Sequence, residues 1–446
     1  MPKKNFIWGS ATASYQIEGA VNEDGRSPSI WDAYCSIPGR TAAGENGDIA
    51  CDSYHRYEED IKLLKELGVD SYRFSIAWPR ILPNGTGEVN QAGIDYYNKL
   101  IDTLLANGIT PFVTLYHWDL PLELQLCANG WLDRSIVDTF VNYAKVCFDA
   151  FGDRVRHWIT FNEAWCISVL GYGTGSHAPG HRSRREAYLV GHHLLLAHAR
   201  TVKLFRDNNC KGIIGITNNT EWKEPMTGKP EDIEAADRAV TFDFGWFTDP
   251  VVYGDYPQVM KDMLGDLLPE FSADEKALLK GSADFIGLNH YSTKCVSATP
   301  VEGHLPLCGH IFDDARVYSW CDPKWEKTQM NWNLLPWGLR KLLNWIAKRY
   351  NNIPIYITEN GCACAGIEDD DQRCRYVTGY INAALEARDI DNVNLAGYFY
   401  WSLLDNLEWA YGYSKTFGLV GCSPDDLTRR PKKSFYVYKD IISKNR

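Results

Sequence analysis

Nowhere in the 446 residues do eighteen apolar side chains run together, so no segment could cross a bilayer as a helix. Basic charge is also scarce. Forty-six Lys and Arg stand against 57 Asp and Glu, a net of −11, which excludes the cationic surface that nucleic acid or an anionic membrane requires. There is no glycine-rich phosphate loop, no metal-ligand cluster, no internal repeat and no low-complexity tract. The 13 cysteines are odd in number and scattered, which fits reduced thiols and a cytoplasmic location rather than a disulfide framework. Cys362, Cys364 and Cys374 fall short of the two ligand pairs of a structural zinc site. The opening Met1-Pro2-Lys3-Lys4 leads into Asn5-Phe6-Ile7-Trp8-Gly9, an apolar run too short for a secretory leader. No metal and no cofactor are expected.

Aromatic side chains, by contrast, are abundant: 13% of the chain, with 16 Trp and 25 Tyr. Such flat faces fill cores, and they also stack on the apolar faces of sugar rings. Two stretches share one design. Ile355-Tyr356-Ile357-Thr358-Glu359-Asn360-Gly361 is a β-branched and aromatic run that ends on an acid, an amide and a glycine. Trp158-Ile159-Thr160-Phe161-Asn162-Glu163 repeats the pattern about two hundred residues earlier. A buried strand tolerates a carboxylate only at its end, facing a cavity and holding partners. Two such strands make a carboxylate pair.

Strand-like runs cover 6–14, 71–78, 110–118, 158–163, 211–218, 284–289, 354–359 and 395–401. Helical spacing fills 54–67, 92–106, 135–151 and 184–207 between them, with Gly68 and Asn107-Gly108 as stop signals. His192, His193 and His198 on the last of these fit packing. Eight strands alternating with helices, with no linker between them, predict a single (β/α)₈ TIM barrel over residues 1–446. Loops are expected to be long near 24–50, 220–230 and 295–335, building a pocket at the C-terminal face of the strands. Arg429-Arg430-Pro431-Lys432-Lys433 is expected to be a solvated turn.

The strand ends carry Gln16, Arg73, His117, Asn162 and Glu163, Asn289 with Tyr291, Glu359 and Trp401, followed by Glu408 and Trp409. This set of amide, carboxylate, imidazole and indole groups suits a polyhydroxylated ring. Two glutamates flanking a sugar can cleave a glycosidic bond without a cofactor, one protonating the leaving oxygen and the other meeting the charge at the anomeric carbon. The carboxylate beside Arg73 is expected to be held ionised, and its partner pushed up.

Thr160-Phe161-Asn162-Glu163, Ile357-Thr358-Glu359-Asn360-Gly361, Tyr15-Gln16-Ile17-Glu18-Gly19, His117-Trp118-Asp119-Leu120-Pro121 and the segment from Trp401-Ser402-Leu403 to Leu407-Glu408-Trp409 together resemble the family 1 glycoside hydrolases. The resemblance runs from Phe6 to about Lys433. It implies a retaining (β/α)₈ enzyme with Glu163 as acid/base and Glu359 as nucleophile. It places Gln16, His117, Asn162, Glu408 and Trp409 on the hydroxyls of the terminal sugar, and Trp401 under its ring. Phe417 would line the pocket, and Arg73, Asn289 and Tyr291 would support the nucleophile. The chain departs from the family at Ala164, where proline is usual; Ala164→Pro is expected to be tolerated because the preceding backbone is extended.

Both glutamates are present, which argues against a non-catalytic sugar-binding relative, and Glu163 argues against the S-glycosidase branch. An ionised Glu408 would repel a phosphate on the sugar's 6-position. The expected substrate is a β-glucoside or short cello-oligosaccharide, with galactosides and fucosides left open. Trp165, Trp320 and Trp325 are candidate platforms for the aglycone.

Overall fold

In the computed structural model, residues 6–300, 311–364 and 370–446 are described. The opening segment 1–5, and part of the loop expected over 295–335, lie outside them. Eight parallel strands close into a barrel. In chain order they are β1 Ile7–Ala11, β2 Ser71–Ser75, β3 Thr110–Tyr116, β4 His157–Asn162, β5 Ile213–Asn219, β6 Ile286–Asn289, β7 Ile355–Asn360 and β8 Leu395–Trp401. Closure is direct, since β1 pairs with β8 from Ile7↔Gly397 to Ala11↔Trp401. Helices cross between them: α1 Ser53–Leu67, α2 Gln91–Ala106, α3 Ile136–Phe151, α4 Arg184–Asp207, α5 Pro230–Val240, α6 Pro336–Arg349, α7 Asp371–Asp389 and α8 Lys433–Lys444. Among the described residues no helix is long and apolar enough to cross a membrane, and no group of three metal-ligating side chains gathers.

The first four strands are shorter at their C-terminal ends than the apolar runs suggested, and the last four end within one residue of them. Ile76, Ala77 and Trp78 are buried, yet the ladder ends at Ser75, because Trp78 opens a short helix with Pro79 in its first turn. The long loops also organise themselves: Trp222–Pro225, Thr293–Ser297 and Tyr318–Trp320 pair into a three-stranded sheet above β5 and β6.

The N-terminal half of the barrel is plugged by aromatic rings. Phe112 meets Phe285, Tyr356 and Phe399 edge-on, with centroids 5.6, 5.3 and 5.1 Å away. The rings leave no room for a side chain at Gly9, whose Cβ would lie 2.2 Å from Phe399. Above the plug the barrel turns polar, at Arg73, Thr114, Asn162, Asn289 and Thr358.

The basic segment near the C-terminus is not a solvated turn. Arg429 pairs with Asp60 at 2.9 Å with both side chains 4% exposed. Lys432 is fully enclosed against Asp405 at 2.7 Å. Asp405 in turn accepts a hydrogen bond from the Gly418 N–H, so this buried pair anchors the loop after β8. Burial of a lysine is tolerated here because its ammonium keeps a carboxylate partner. The histidines of α4 do pack as expected: His198 donates to or accepts from Thr160 Oγ1 and lies 2.9 Å from Ser282 O, and burial holds it down to about 3.

A third ion pair ties the first two loops of the C-terminal face. Arg80 donates to Glu18 Oε2 at 2.7 Å and to Gly19 O, Tyr97 donates to Glu18 Oε1 at 2.6 Å, and the guanidinium lies 4.2 Å from the Tyr54 ring centre. Arg80→Met strands the buried Glu18 carboxylate and should cost about 3–5 kcal/mol. Denaturant unfolding checks this. Arg80→Met combined with Glu18→Gln should be milder than Arg80→Met alone, and an additive loss would show that the pair is not coupled.

Candidate active site

The two strands that deliver glutamates are the ones with irregular register. On β7 the pairing slips between Ile357 and Glu359 against β6, and between Ile357 and Asn360 against β8. On β4 it slips between Ile159 and Asn162 against β5. An irregularity of this kind breaks the strict alternation of side chains and re-aims those beyond it. Consecutive residues Thr358 and Glu359 both reach the polar layer: Thr358 donates to Asn289 Oδ1 at 2.7 Å, and Glu359 meets Arg73. Gly361 lets the end of β7 pass β8, since a Cβ there would sit 1.8 Å from Trp401 O.

Arg73 is fully buried and spends its donors on four acceptors. These are Glu359 Oε1 at 2.5 Å, Thr358 O at 3.0 Å, Asn162 Oδ1 at 2.6 Å and Thr114 Oγ1 at 3.3 Å. The other oxygen of Glu359 accepts from the Tyr291 hydroxyl at 2.6 Å. Glu163 has different company. Its Oε1 accepts from Asn289 Nδ2 at 2.7 Å, and its Oε2 accepts from the Cys166 thiol at 2.9 Å. Both donors are neutral. Burial, and then the like charge of Glu359, push the Glu163 carboxyl up to about 7.

The glutamates line one cavity of about 680 Å³ with His117, Asn162, Asn289, Tyr291, Trp401, Glu408, Trp409 and Phe417. His117 lies between two indoles, 5.8 Å from Trp401 and 5.9 Å from Trp409, both near parallel. Burial and the Arg73 cation hold its imidazole well below the usual range, so it is neutral. Glu408 is half-buried. Removal from water, with the charges of Glu359 and Glu163 nearby, pushes it up to about 8. At that value the protonated form is favoured near neutral pH, whereas repulsion of a 6-phosphate would need the ionised one. Gln16 does not face the open cavity: it is fully buried and donates to Asn406 Oδ1 and Leu407 O. Gln16 Oε1, His117 Nδ1 and Glu408 Oε2 are enclosed without partners. A buried polar atom left unsatisfied costs about 1–3 kcal/mol, and sugar hydroxyls could relieve that.

Glu163 has φ 51°, Trp118 78° and Trp409 50°, left-handed backbone on three residues that line the cavity. The backbone before Ala164 is thus left-handed, where an extended one was expected to admit proline. Residues 164 and 165 begin the helical segment after Glu163, where an N–H lacks an intrahelical partner and proline removes no hydrogen bond.

Of the aglycone candidates, Trp165 lines the cavity and stacks on Phe312, 5.9 Å away at 18°. Trp320 and Trp325 do not line it; they pack edge-on against each other at 5.9 Å. Alternation along the rim strand explains this, because Val317 and Ser319 face the cavity and Trp320 takes the other side. The sequence reading missed Trp118, Phe312, Met330 and Trp332 in the lining. It also missed a charged wall of Glu221, Lys223, Asp243 and Lys294. Lys223 and Lys294 are directly opposed on adjacent rim strands, an arrangement held by Glu221, which lies 3.1 and 2.9 Å from them. Asp243 lies 3.1 Å from Lys223. Burial alone would raise Glu221, but Lys294 and Lys223 hold it down to about 2.

A barrel carrying two glutamates of unlike environment at its C-terminal mouth, among aromatic and amide side chains, has the form of a glycoside hydrolase. The chain belongs to glycosyl hydrolase family 1, whose model matches residues 1–446. It is 45% identical to beta-glucosidase 6 of Oryza sativa subsp. japonica, over 98% of this chain and 90% of that protein. It is also 45% identical to beta-glucosidase A of Acetivibrio thermocellus, over 99% and 98%. Among solved structures, a mutant of the rice Os3BGlu6 beta-glucosidase in a covalent complex with Glc superposes with a TM-score of 0.94 at 44% identity, covering 98% of each chain. The family 1 enzyme of Thermotoga maritima gives 0.92 at 44%, covering 100% of this chain and 98% of that one. Retaining hydrolysis of glycosides is the family's general activity.

The shared electrostatics can be tested directly. In Glu359→Gln the like charge disappears, so the Glu163 carboxyl, followed by carbon NMR of labelled glutamate, should titrate on the order of one pH unit lower. An unchanged value would mean that the two carboxyls do not share one space.

Proposed function

We propose that this chain is a retaining β-glucosidase in which Glu359 is the nucleophile and Glu163 the acid/base. The observation that carries the assignment is the contrast between their partners. Glu359 holds the Arg73 guanidinium together with a phenol donor, and Glu163 holds two neutral donors. In the first step Glu163 gives its proton to the glycosidic oxygen as the C1–O bond breaks, and Glu359 bonds to C1. In the second, water attacks C1, its proton returns to Glu163, and Glu359 is released. The sugar is read by His117, Asn162, Glu408 and Trp409 over Trp401, with Gln16 behind them. Glucose is favoured because relatives carrying that activity cover the whole chain, one of them holding Glc covalently.

Glu359→Gly should abolish hydrolysis yet be rescued by azide to give the α-glycosyl azide; a β-product would reject the nucleophile. Glu163→Ala should lose about 10²–10⁴-fold on alkyl glucosides, and far less on nitrophenyl glucosides, whose leaving group needs little protonation. Equal losses on both would reject the acid. Because Glu163 must start protonated and titrates at about 7, kcat/KM should fall as pH rises through that value. A panel of aryl β-glucosides, β-galactosides and β-fucosides reads the sugar preference.

The aglycone half of the cavity has an apolar wall at Trp165 and Phe312 and the charged wall of Glu221, Lys223, Asp243 and Lys294. One suits a ring face and the other its hydroxyls, so a second sugar, as in cellobiose or a short cello-oligosaccharide, is the aglycone it supports. Lys294→Met should lower kcat/KM for cellobiose about tenfold, as loss of one charge-assisted hydrogen bond does, and leave nitrophenyl glucoside within about twofold. A parallel fall on both substrates would show that the wall only braces the rim.

A further inference from the structure

Glu163 is gripped from two sides, and neither grip was read from the chain: Asn289, expected to support Glu359, turns its amide to Glu163 and Asn162 instead. Asn289, at the end of β6, donates to Oε1. The other donor comes from the segment that Glu163 itself begins. The chain leaves β4 with left-handed backbone at Glu163, whose N–H donates to Thr217 O at 2.9 Å, and turns into helical structure. Cys166 opens a nine-residue π-helical run, Cys166–Thr174, three residues on, and its thiol returns to Glu163 Oε2 at 2.9 Å. Such wide turns are rare and collect at functional sites. Cys166 lines the cavity and is 7% exposed.

We propose that Cys166 is a positioning residue for the glycosidase reaction, its thiol fixing the acid/base carboxyl by a deliberately weak hydrogen bond. This rests on Glu163 being the acid/base. That residue must serve in two forms: it carries a proton when the glycosidic oxygen leaves, and is a carboxylate when water arrives. A strong donor on Oε2 would favour the carboxylate and spoil the acid; no donor would leave the oxygen free to swing away. A thiol sits between, as a weak donor that keeps the rotamer without holding the charge. It stays a donor throughout, because burial and then the charge of Glu163 raise the Cys166 thiol well above its usual range. The thiol proton is not transferred at any step. The proton that moves is Glu163's own, to the leaving oxygen and back from water.

The groups that face this carboxyl come from other elements: Glu359 on β7, Arg73 on β2, Tyr291 after β6 and Glu408 after β8, while Glu359 and Asp243 also act on the thiol itself. None of them changes when Cys166 is replaced, which makes the donor separable.

The test compares Cys166→Ser with Cys166→Ala, near-equal in size and differing by one hydroxyl. The readout is the pH profile of kcat/KM on nitrophenyl β-glucoside. The alkaline limb should move down by about half to one unit in Cys166→Ser and up by a similar amount in Cys166→Ala, with the acidic limb unmoved. Limbs that stay put, or that shift the same way in both variants, would overturn the proposal. Infrared spectra keep it decidable should either variant fail to fold. In otherwise native protein, Glu163→Gln should shift one S–H stretching band, and no shift would exclude the hydrogen bond. A band that shifts alongside a Glu163→Ala variant with no leaving-group dependence would instead retire the acid/base assignment while leaving the contact in place.

Discussion

One buried guanidinium sets the terms for the whole mouth of the barrel. Arg73 sits on β2 with no exposure and is the cation in contact with the polar layer. Three carboxyls, those of Glu163, Glu359 and Glu408, line the cavity without a lysine partner, whereas Glu221 and Asp243 on its rim are paired with Lys223 and Lys294. A single positive charge balances a single negative one, and carrying more uncompensated charge out of water is expensive. The system answers with protons. Glu359 takes the ion pair, while Glu163 and Glu408 are pushed up to about 7 and about 8, so that near neutral pH they hold hydrogen much of the time. The same cation helps keep His117 neutral. Glu359, paired with Arg73, and Glu163, held by neutral donors beside that like charge, are thereby unlike in environment although identical in covalent structure.

The mouth is also held under backbone strain. Left-handed geometry at Glu163, Trp118 and Trp409 costs on the order of 1–3 kcal/mol per residue and persists only when packing over-determines it. The packing is visible. Trp409 lies 4.5 Å from Trp118 and 4.6 Å from Trp31, and Trp118 donates to Asn162 O at 2.8 Å. Behind them the buried Lys432–Asp405 pair fixes the loop that carries Glu408 and Trp409. Residues far from the cavity in sequence thus hold its shape.

Much of this was legible before any coordinates. The strand-to-helix alternation was sufficient for the barrel, since buried parallel strands have a compositional signature, and the paired strand ends pointed to Glu163 and Glu359. What escaped were features that depend on register and on neighbours remote in sequence. The slips in β4 and β7 change no residue type. Trp320 and Trp325 looked like platforms, yet strand alternation turned Trp320 away from the cavity and Ser319 toward it. The run from Arg429 to Lys433 looked solvated because its partners Asp60 and Asp405 are not sequence neighbours of both cations. The charged wall was hidden for the same reason: Lys223 and Lys294 meet only when two loops pair. The thiol of Cys166 had a local signal, three residues beyond Glu163, where a helical turn brings it back, but only the turn's geometry shows that it does.

The aromatic plug beneath the polar layer makes the cavity a blind alley. Phe112, Phe285, Tyr356 and Phe399 close the N-terminal end, so nothing can pass through the barrel. Whatever enters by the mouth must leave by it, in reverse order of depth. In the proposed reaction the terminal sugar sits deepest, behind the group it has been cut from. The departing group must clear the passage before water can arrive from that side, and the sugar must be freed before the next molecule can be seated. The order of events is thereby imposed by traffic through one door, independent of the rates of the chemical steps.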